Sequence, residues 1–456
     1  MKEKKQLKKR IILSAILVIA ASYLIPIGIY KEKFMANTSI NGMDVSNQYF
    51  ANVEEILEDT YVSDYLFQVN GRNGSIESIK GEPAWLSVHY DLEEIKKEQN
   101  LFKWPIYLIR KHEYSIKPEV EIDDQKLMER IRSLKCMDDG AMQEPVNAYI
   151  SAYENGVGYK IIDDVKGTAL DKEKASSMIL QEMKSGGDSV DLESCYLSAD
   201  ITSDSESLKE MLDRLNQVAA SEIHYQFDGR VVILDADTFH EWILTDDTGN
   251  LTIDREKAIN YVSDLATETD TAYTQREFST TSGGKVSVTG PYGYRIAKED
   301  ETTQLCADLL SGQVVERKPV YVREGASRNG DDYGTTYVEI DLTNQKVYLY
   351  VNGNLVKSSS CVTGNVSKGH TTPPGIYPMT YKQLDAVLRG PGYASPVKYW
   401  MPFNGGIGLH DASWRSSFGG TIYKTNGSHG CVNLPYEMAK TIYENAYAGM
   451  PVICYN

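Results

Sequence analysis

The first thirty residues constrain this chain more than any others. Lys2, Lys4, Lys5, Lys8, Lys9 and Arg10 precede an uncharged run from Ile11 to Tyr30, IILSAILVIAASYLIPIGIY. About 20 apolar residues rising ~1.5 Å each suffice to cross a hydrocarbon core of roughly 30 Å. Cations on the N-terminal flank hold that end in the cytoplasm. The reading is therefore a single pass through the cell membrane: a basic cytoplasmic tail over residues 1–10, a signal anchor over 11–30, and everything beyond Lys31 extracellular. A cleaved signal peptide is the alternative, with Ala20-Ala21-Ser22 as its small-residue site. The apolar run continues past that point to Tyr30, which argues against cleavage. Pro26 and Gly28 are tolerated in a spanning helix.

The rest of the chain is of folded, globular composition, 41% hydrophobic and 24% charged, and 456 residues are enough for two to four domains. Net charge is −17, and the first ten residues alone carry +5, so the remainder stands at −22. An ectodomain that acidic is expected to be a poor binder of nucleic acid and of anionic membrane. Six cysteines (Cys136, Cys195, Cys306, Cys361, Cys431, Cys454) lie scattered without a CxxC pair, so neither a zinc ribbon nor a thioredoxin motif is present and no disulfide framework is expected.

From about residue 40 to 320, strand-like and helix-like segments alternate, which predicts an α+β region of one or two modules. A weak echo runs through it: Leu170-Asp171-Lys172-Glu173-Lys174-Ala175 recurs as Ile253-Asp254-Arg255-Glu256-Lys257-Ala258, and more loosely from Ile122-Asp123. In each, an apolar residue ends an extended segment and Asp is placed to cap a helix. Val322 to Gly334, rich in Gly, Asp, Asn and Ser, reads as a linker. Residues 336–456 then read as a mainly-β domain. Two alternating strands come first, Asn352-Gly353 forms a tight turn, and a late helix lies within Leu434 to Ala448. The fold class is thus α+β and multidomain, behind an N-terminal transmembrane helix.

The chemistry concentrates in Ser428-His429-Gly430-Cys431-Val432-Asn433-Leu434. A cysteine among turn-forming polar residues is unlike an inert core thiol. Gly430 permits close backbone approach, so N–H groups beside the thiol are placed to meet a developing oxyanion. A second glycine-flanked histidine, Gly408-Leu409-His410-Asp411, supplies an imidazole base 21 residues before Cys431. Zinc on His410, His429 and Cys431 is a weaker reading, since no fourth ligand stands out. No metal or cofactor is expected. Trp414, Arg415, Phe418 and Tyr423 fall in the loop between the two blocks, where aromatics and a cation suit a peptide bearing carboxylates. Tyr399 to Phe403 reads as core or pocket wall, and His370 as a solvated loop histidine.

These blocks, in order with the VEIDLTNQKVYLYVNG hairpin, Val362-Thr363-Gly364 and Thr372-Pro373-Pro374-Gly375-Ile376-Tyr377, make residues 336–456 resemble a YkuD-type L,D-transpeptidase catalytic domain. The region before it, with Gly293-Tyr294 in VTGPYGYRI, resembles the peptidoglycan-binding modules that precede this domain in anchored enzymes of Gram-positive type. The resemblance implies an acyltransferase of cell-wall organisation. Cys431 would attack the carbonyl of the third residue of a donor stem tetrapeptide and expel the terminal D-alanine. An acceptor amine of another stem would resolve the thioester into a 3→3 cross-link. His410 would serve as base and then acid, Gly430 and Cys431 N–H groups as oxyanion donors, and Ser428, His429 and Asn433 as pocket and substrate contacts. Asp411, by carboxylate or by carbonyl, would orient His410. Carbapenems would acylate the thiol. Hydrolysis of the same acyl-enzyme would instead make an L,D-carboxypeptidase, and a non-catalytic wall-binding protein is a further alternative. A sortase reading fails because no arginine follows Arg415.

Overall fold

The computed structural model describes residues 1–246, 248–390 and 393–456. The chain forms two compact units. One comprises Met1–Tyr149 with Ile161–Ser205, the other Ile150–Lys160 with Glu206–Asn456.

In the first unit, helix α1 (Lys2–Ile29) is long and apolar enough to cross a membrane, and none of its residues is buried. A compact α+β body follows. Helix α2 (Phe50–Asp64) leads into the hairpin β1 (Leu66–Asn70) and β2 (Ile76–Lys80), whose alternation puts Phe67, Val69 and Ile79 inside. A small antiparallel pair, β3 (Leu86–His89) and β4 (Glu119–Ile122), precedes helices α3 (Asp124–Arg132) and α4 (Lys172–Lys184). Strand β5 (Ser189–Asp191) closes the sheet parallel to β1, in the order β5-β1-β2.

The second unit begins with the same sequence of elements. Helix α5 (Glu206–Ala219) leads into the hairpin β6 (Glu222–Gln226) and β7 (Val231–Leu234), then the antiparallel pair β8 (Ile243–Thr245) and β9 (Leu251–Ile253). Helices α6 (Arg255–Thr269) and α7 (Lys298–Leu310) follow, and β10 (Val314–Arg317) closes the sheet parallel to β6, in the order β10-β6-β7. The two bodies share one topology. One capping aspartate is common to both: Asp123 Oδ1 accepts from Gln125 and Lys126 N–H at the start of α3, as Asp254 Oδ1 does from Glu256 and Lys257 N–H at the start of α6. Asp171 Oδ1 accepts from Lys174 N–H at the start of α4, but Ala297 stands at the matching start of α7, so the sequence echo between residues 170–175 and 253–258 joins helices that are not equivalent in the fold. They differ most between the strands of the small pair. The first copy inserts residues 90–118 there, where the second has only residues 246–250.

The C-terminal part is β-rich. A five-stranded sheet contains β11 (Tyr337–Asp341), β12 (Lys346–Val351), β13 (Asn354–Ser360), β14 (Gly375–Pro378) and the final β19 (Pro451–Tyr455), in the order β13-β12-β11-β19-β14. The turn between β12 and β13 has Asn352 at φ 51 and Gly353 at φ 79, the left-handed pair a two-residue hairpin needs. A four-stranded sheet runs β15 (Gln383–Gly390), β16 (Tyr393–Asn404), β17 (Ile407–Asp411), β18 (Val432–Leu434) in chain order. Helix α8 (Tyr436–Asn445) places Met438 and Ile442 in one core with Val338, Val347, Met401, Leu409 and Val432 from both sheets.

The segment expected to be a linker, Val322 to Gly334, is instead part of the packed structure. Asp332 is buried and holds Arg276 through Nε and Nη2, each at 2.7 Å, while Tyr333 packs with Phe278, Ile376 and Tyr455. Its polar composition misleads because the buried carboxylate is neutralised by a partner 56 residues away. The same ion pair explains Gly293 at φ +116, where a Cβ would lie 2.5 Å from Arg276 Nη2 and from Asp332 Oδ2. Removing one member of a buried pair strands the other charge. Asp332→Ala is therefore expected to destabilise this unit by about 3–5 kcal/mol in urea unfolding. A loss within about 0.5 kcal/mol, as for a free surface position, would restore the linker reading.

Candidate active site

The parallel pairing of β17 and β18 builds the site. Its register sets Leu409 against Val432, His410 against Asn433 and Asp411 against Leu434. Side chains alternate between faces, so His410, Asn433 and, two residues earlier, Cys431 project to one side. All three line one cavity of about 230 Å³ with Trp414, Arg415 and Ser428. The two blocks separated by 21 residues in the chain thus meet across a single strand pair.

His410 is buried, with its ring beside those of Trp400 and Trp414 at centroid distances of 6.0 and 5.8 Å. Its Nδ1 lies 2.8 Å from the Asp411 carbonyl oxygen, so Nδ1 carries the proton and Nε2 keeps its lone pair. The Asp411 carboxylate is engaged elsewhere, accepting from Lys398 and Tyr399 N–H at 2.8 Å each. Burial lowers the His410 pKa below the ordinary imidazole value, and the Arg415 charge adds to this against the Asp411 carbonyl and carboxylate. That shift favours the neutral ring, whose free nitrogen can accept a proton.

Burial also raises the Cys431 thiol above its ordinary value, and the Gly408 N–H opposes that only in part. Sγ lies 3.5 Å from the Gly406 carbonyl oxygen. Both shifts favour the uncharged forms of thiol and imidazole.

Two hydroxyls fix the backbone around Cys431. Ser428 Oγ accepts from Gly430 N–H at 3.0 Å and donates to the Cys431 carbonyl at 2.5 Å. Thr372, 4% exposed, accepts from Gly364 N–H at 3.1 Å and donates to the Gly430 carbonyl at 2.6 Å. The Gly430 N–H, expected to face substrate, is thus turned to Ser428. The Cys431 N–H, on the opposite edge of the peptide that Thr372 grips, has no acceptor among the described residues.

Other expected residues divide. Arg415 donates through Nη1 to the Asn426 carbonyl at 2.9 Å, and its buried Nε has no partner. Asn433 Oδ1 is likewise buried and unpaired, an acceptor left for a ligand N–H. Trp414 is half exposed at the cavity edge, whereas Phe418 and Tyr423 do not line it. His429 is exposed and lies against His370 at 4.8 Å between ring centroids, so His370 is next to the site rather than in a remote loop. Sequence reasoning gave no role to Thr372, nor to Leu388 and Ser395, which face the cavity from paired positions of β15 and β16. Thr372 stood inside a motif already singled out. Leu388 and Ser395 carry no local signal.

Residues 335–454 match the L,D-transpeptidase catalytic domain, and residues 201–315 match the family described as "Putative peptidoglycan binding domain". Among solved structures, a cysteine-to-serine mutant of Enterococcus faecium L,D-transpeptidase is 32% identical over 55% of this chain and 100% of that one, with a TM-score of 0.44. The avibactam carbamoyl enzyme of Ldtfm is also 32% identical, over 55% of this chain and 99% of that one, with a TM-score of 0.44. The catalytic domain of the Enterococcus faecium enzyme acylated by ertapenem is 37% identical over 27% of this chain and 98% of that one, with a TM-score of 0.25. Among curated proteins, none matches the chain.

A neutral resting pair has a measurable consequence. Alkylation of native Cys431 by iodoacetamide is expected to keep rising with pH beyond about 9.5, where an unperturbed thiol, half ionised at about 8.5, has levelled off. A rate already flat below about pH 7 would instead reveal a preformed thiolate–imidazolium pair.

Proposed function

This chain belongs to the L,D-transpeptidase family, and from that premise we propose that it forms 3→3 peptidoglycan cross-links through a thioester on Cys431. The observation that carries the proposal is the shared cavity of Cys431, His410 and Asn433, with His410 anchored through Nδ1 so that its basic nitrogen is Nε2.

In this reading His410 Nε2 takes the Cys431 proton as sulfur attacks the carbonyl carbon of the third residue of a donor tetrapeptide. The amide bond to the terminal D-alanine breaks, and its nitrogen leaves with the proton returned by His410. The acceptor amine of a second stem then attacks the thioester, His410 removes a proton from it, and sulfur is expelled and reprotonated. The Cys431 N–H is the oxyanion donor of both steps. Asn433 Oδ1 and Arg415 Nε, each buried without a partner, are suited to a substrate N–H and a substrate carboxylate. Ser428 and Thr372 act by positioning the backbone; Trp414 and His429 flank the stem peptides.

The peptidoglycan-binding match at residues 201–315, together with the same element order in residues 50–191, supports two such modules before the catalytic domain. Helix α1 supports a single-pass anchor with its basic end cytoplasmic and the enzyme outside.

Full-length enzyme given disaccharide-tetrapeptides is expected to yield cross-linked dimers, and Cys431→Ala to yield none. Dimers persisting in that variant would refute the thioester, and tripeptides without dimers would identify a carboxypeptidase. Thr372→Val is expected to slow carbapenem acylation about 10–100-fold, less than the outright loss of an oxyanion donor. Its iodoacetamide alkylation should be unchanged, since no oxyanion forms there, and Thr372→Ser should restore acylation. Equal slowing of both reactions would mean that Thr372 acts on the thiol or on folding.

A further inference from the structure

The first of the two bodies of like topology has residues 90–118 between the strands of its small antiparallel pair, where the second has only residues 246–250, and the middle of this insertion is built unlike the rest of the chain. Between Lys96 and Lys111 stand five cations, Lys96, Lys97, Lys103, Arg110 and Lys111, against one anion, Glu98, in a protein of net charge −17. Among them lie Phe102, Ile106, Leu108 and Ile109, all exposed, Phe102 to 65% and Ile109 to 85%. Adjacent exposed apolar side chains of this size are unusual on a water-facing surface.

The segment is held rigidly in that attitude. Gln99 accepts from Met35 N–H at 2.8 Å and donates to the Lys33 carbonyl at 3.0 Å. Tyr107 is buried and stacked on His112 at 3.6 Å, and its carbonyl accepts from Asn37 Nδ2 at 2.8 Å. These ties fasten the segment to the chain just after α1.

It also touches α1 itself. Tyr23 donates to the Phe102 carbonyl at 2.7 Å, Trp104 Nε1 donates to the Tyr23 carbonyl at 3.2 Å, and the two rings lie 6.2 Å apart. Tyr23 precedes the end of the apolar run, Tyr30, by seven residues. At ~1.5 Å per residue it sits about 10 Å inside that end. Side chains that meet Tyr23 are then at the depth reached by interfacial membrane elements, about 5–10 Å into the headgroup and acyl boundary.

We propose that residues 101–111 insert into the outer leaflet of the bilayer beside α1, with Phe102, Trp104, Ile106 and Ile109 among the acyl chains and Lys103, Arg110 and Lys111 at anionic headgroups. The proposal rests on the reading of α1 as an uncleaved anchor. Aromatic rings at the interface and long cations reaching to the headgroups are the chemistry such a surface selects. The segment extends the apolar surface of α1 sideways, so lipid is the occupant continuous with it. It turns a single-helix tether into a two-point attachment that limits how the first module tilts over the membrane.

The test uses full-length protein in phosphatidylglycerol vesicles, with or without bromine on the acyl chains near the headgroup. Trp85, Trp242 and Trp400 are buried in protein cores and Trp414 lies at the active-site cavity, so bromine is expected to quench mainly Trp104. Trp104→Phe should lose that quenched component, and Ile109→Trp in the Trp104→Phe background should regain it. A chain that resists carbonate extraction yet shows equal quenching in wild type and Trp104→Phe, with none gained from Ile109→Trp, would overturn the proposal and point to a protein partner. A chain released by carbonate, or one whose intact mass lacks α1, would overturn the anchor reading and this proposal with it.

Discussion

Cys431, His410 and Asn433 converge only because β17 and β18 run parallel in one register. In a parallel pair a slip of one residue would turn His410 to the opposite face and leave the thiol without a base. That register is locked from three sides. Val362 exchanges two backbone hydrogen bonds with Asn433, at 3.0 and 2.9 Å. The Asp411 carboxylate gathers two N–H groups of β16, and the hydroxyls of Ser428 and Thr372 hold the turn entering β18. Gly408, the position one residue before Leu409 in the ladder, admits no side chain, because a Cβ there would lie 2.7 Å from the Trp400 ring and from the Met401 carbonyl. The aromatic wall behind His410 and the glycine before it are therefore one packing solution.

The electrostatics of the site follow from the same burial. Desolvation drives the thiol upward and the imidazole downward, so both effects favour the uncharged pair. Charge separation is then deferred until a carbonyl carbon is present to accept the sulfur. In the proposed reaction the stabilising dipoles are those already fixed, chiefly a Cys431 N–H whose peptide cannot rotate while Thr372 holds its carbonyl. An exposed ion pair would have made the thiol reactive toward any electrophile. A half-buried thiol beside a buried imidazole, both favoured in their neutral forms, reserves it for substrates that fill the cavity.

What could be read from the sequence was local. The aspartate caps, the Asn352-Gly353 turn and the strands β11 and β12 each depend on neighbours within a few residues, and each stands in the fold, although β11 is buried on both faces, its Glu339 accepting from Thr281 and Tyr455. What escaped reading depends on distant partners. Asp332 looks like a linker residue until Arg276 is beside it. Thr372 looks like the start of a proline turn until the Gly430 carbonyl is found within its reach, 58 residues on. The Gly430 N–H was placed correctly in the chain but its direction was not legible, because the acceptor that claims it, Ser428 Oγ, depends on a rotamer. Leu388 and Ser395 reach the cavity through a hairpin register that no motif announces.

The shared topology of the two bodies shows the same limit at a larger scale. Of the caps, only Asp123 and Asp254 stand at equivalent helix starts, since a cap demands a particular side chain, whereas a buried strand position accepts any apolar residue of suitable volume. Phe67 and Val69 in one copy thus stand where Ile223 and Tyr225 stand in the other, with the alternation kept and the identities lost. The two bodies differ most at the connection between the strands of the small antiparallel pair. One body has residues 246–250 there, and the other residues 90–118, of which Tyr90, Leu92 and Ile95 join its core while Phe102, Ile106, Leu108 and Ile109 stay exposed. A body that folds without those side chains is free to spend them on the surface beneath it, and the copy that does so is the one joined directly to α1.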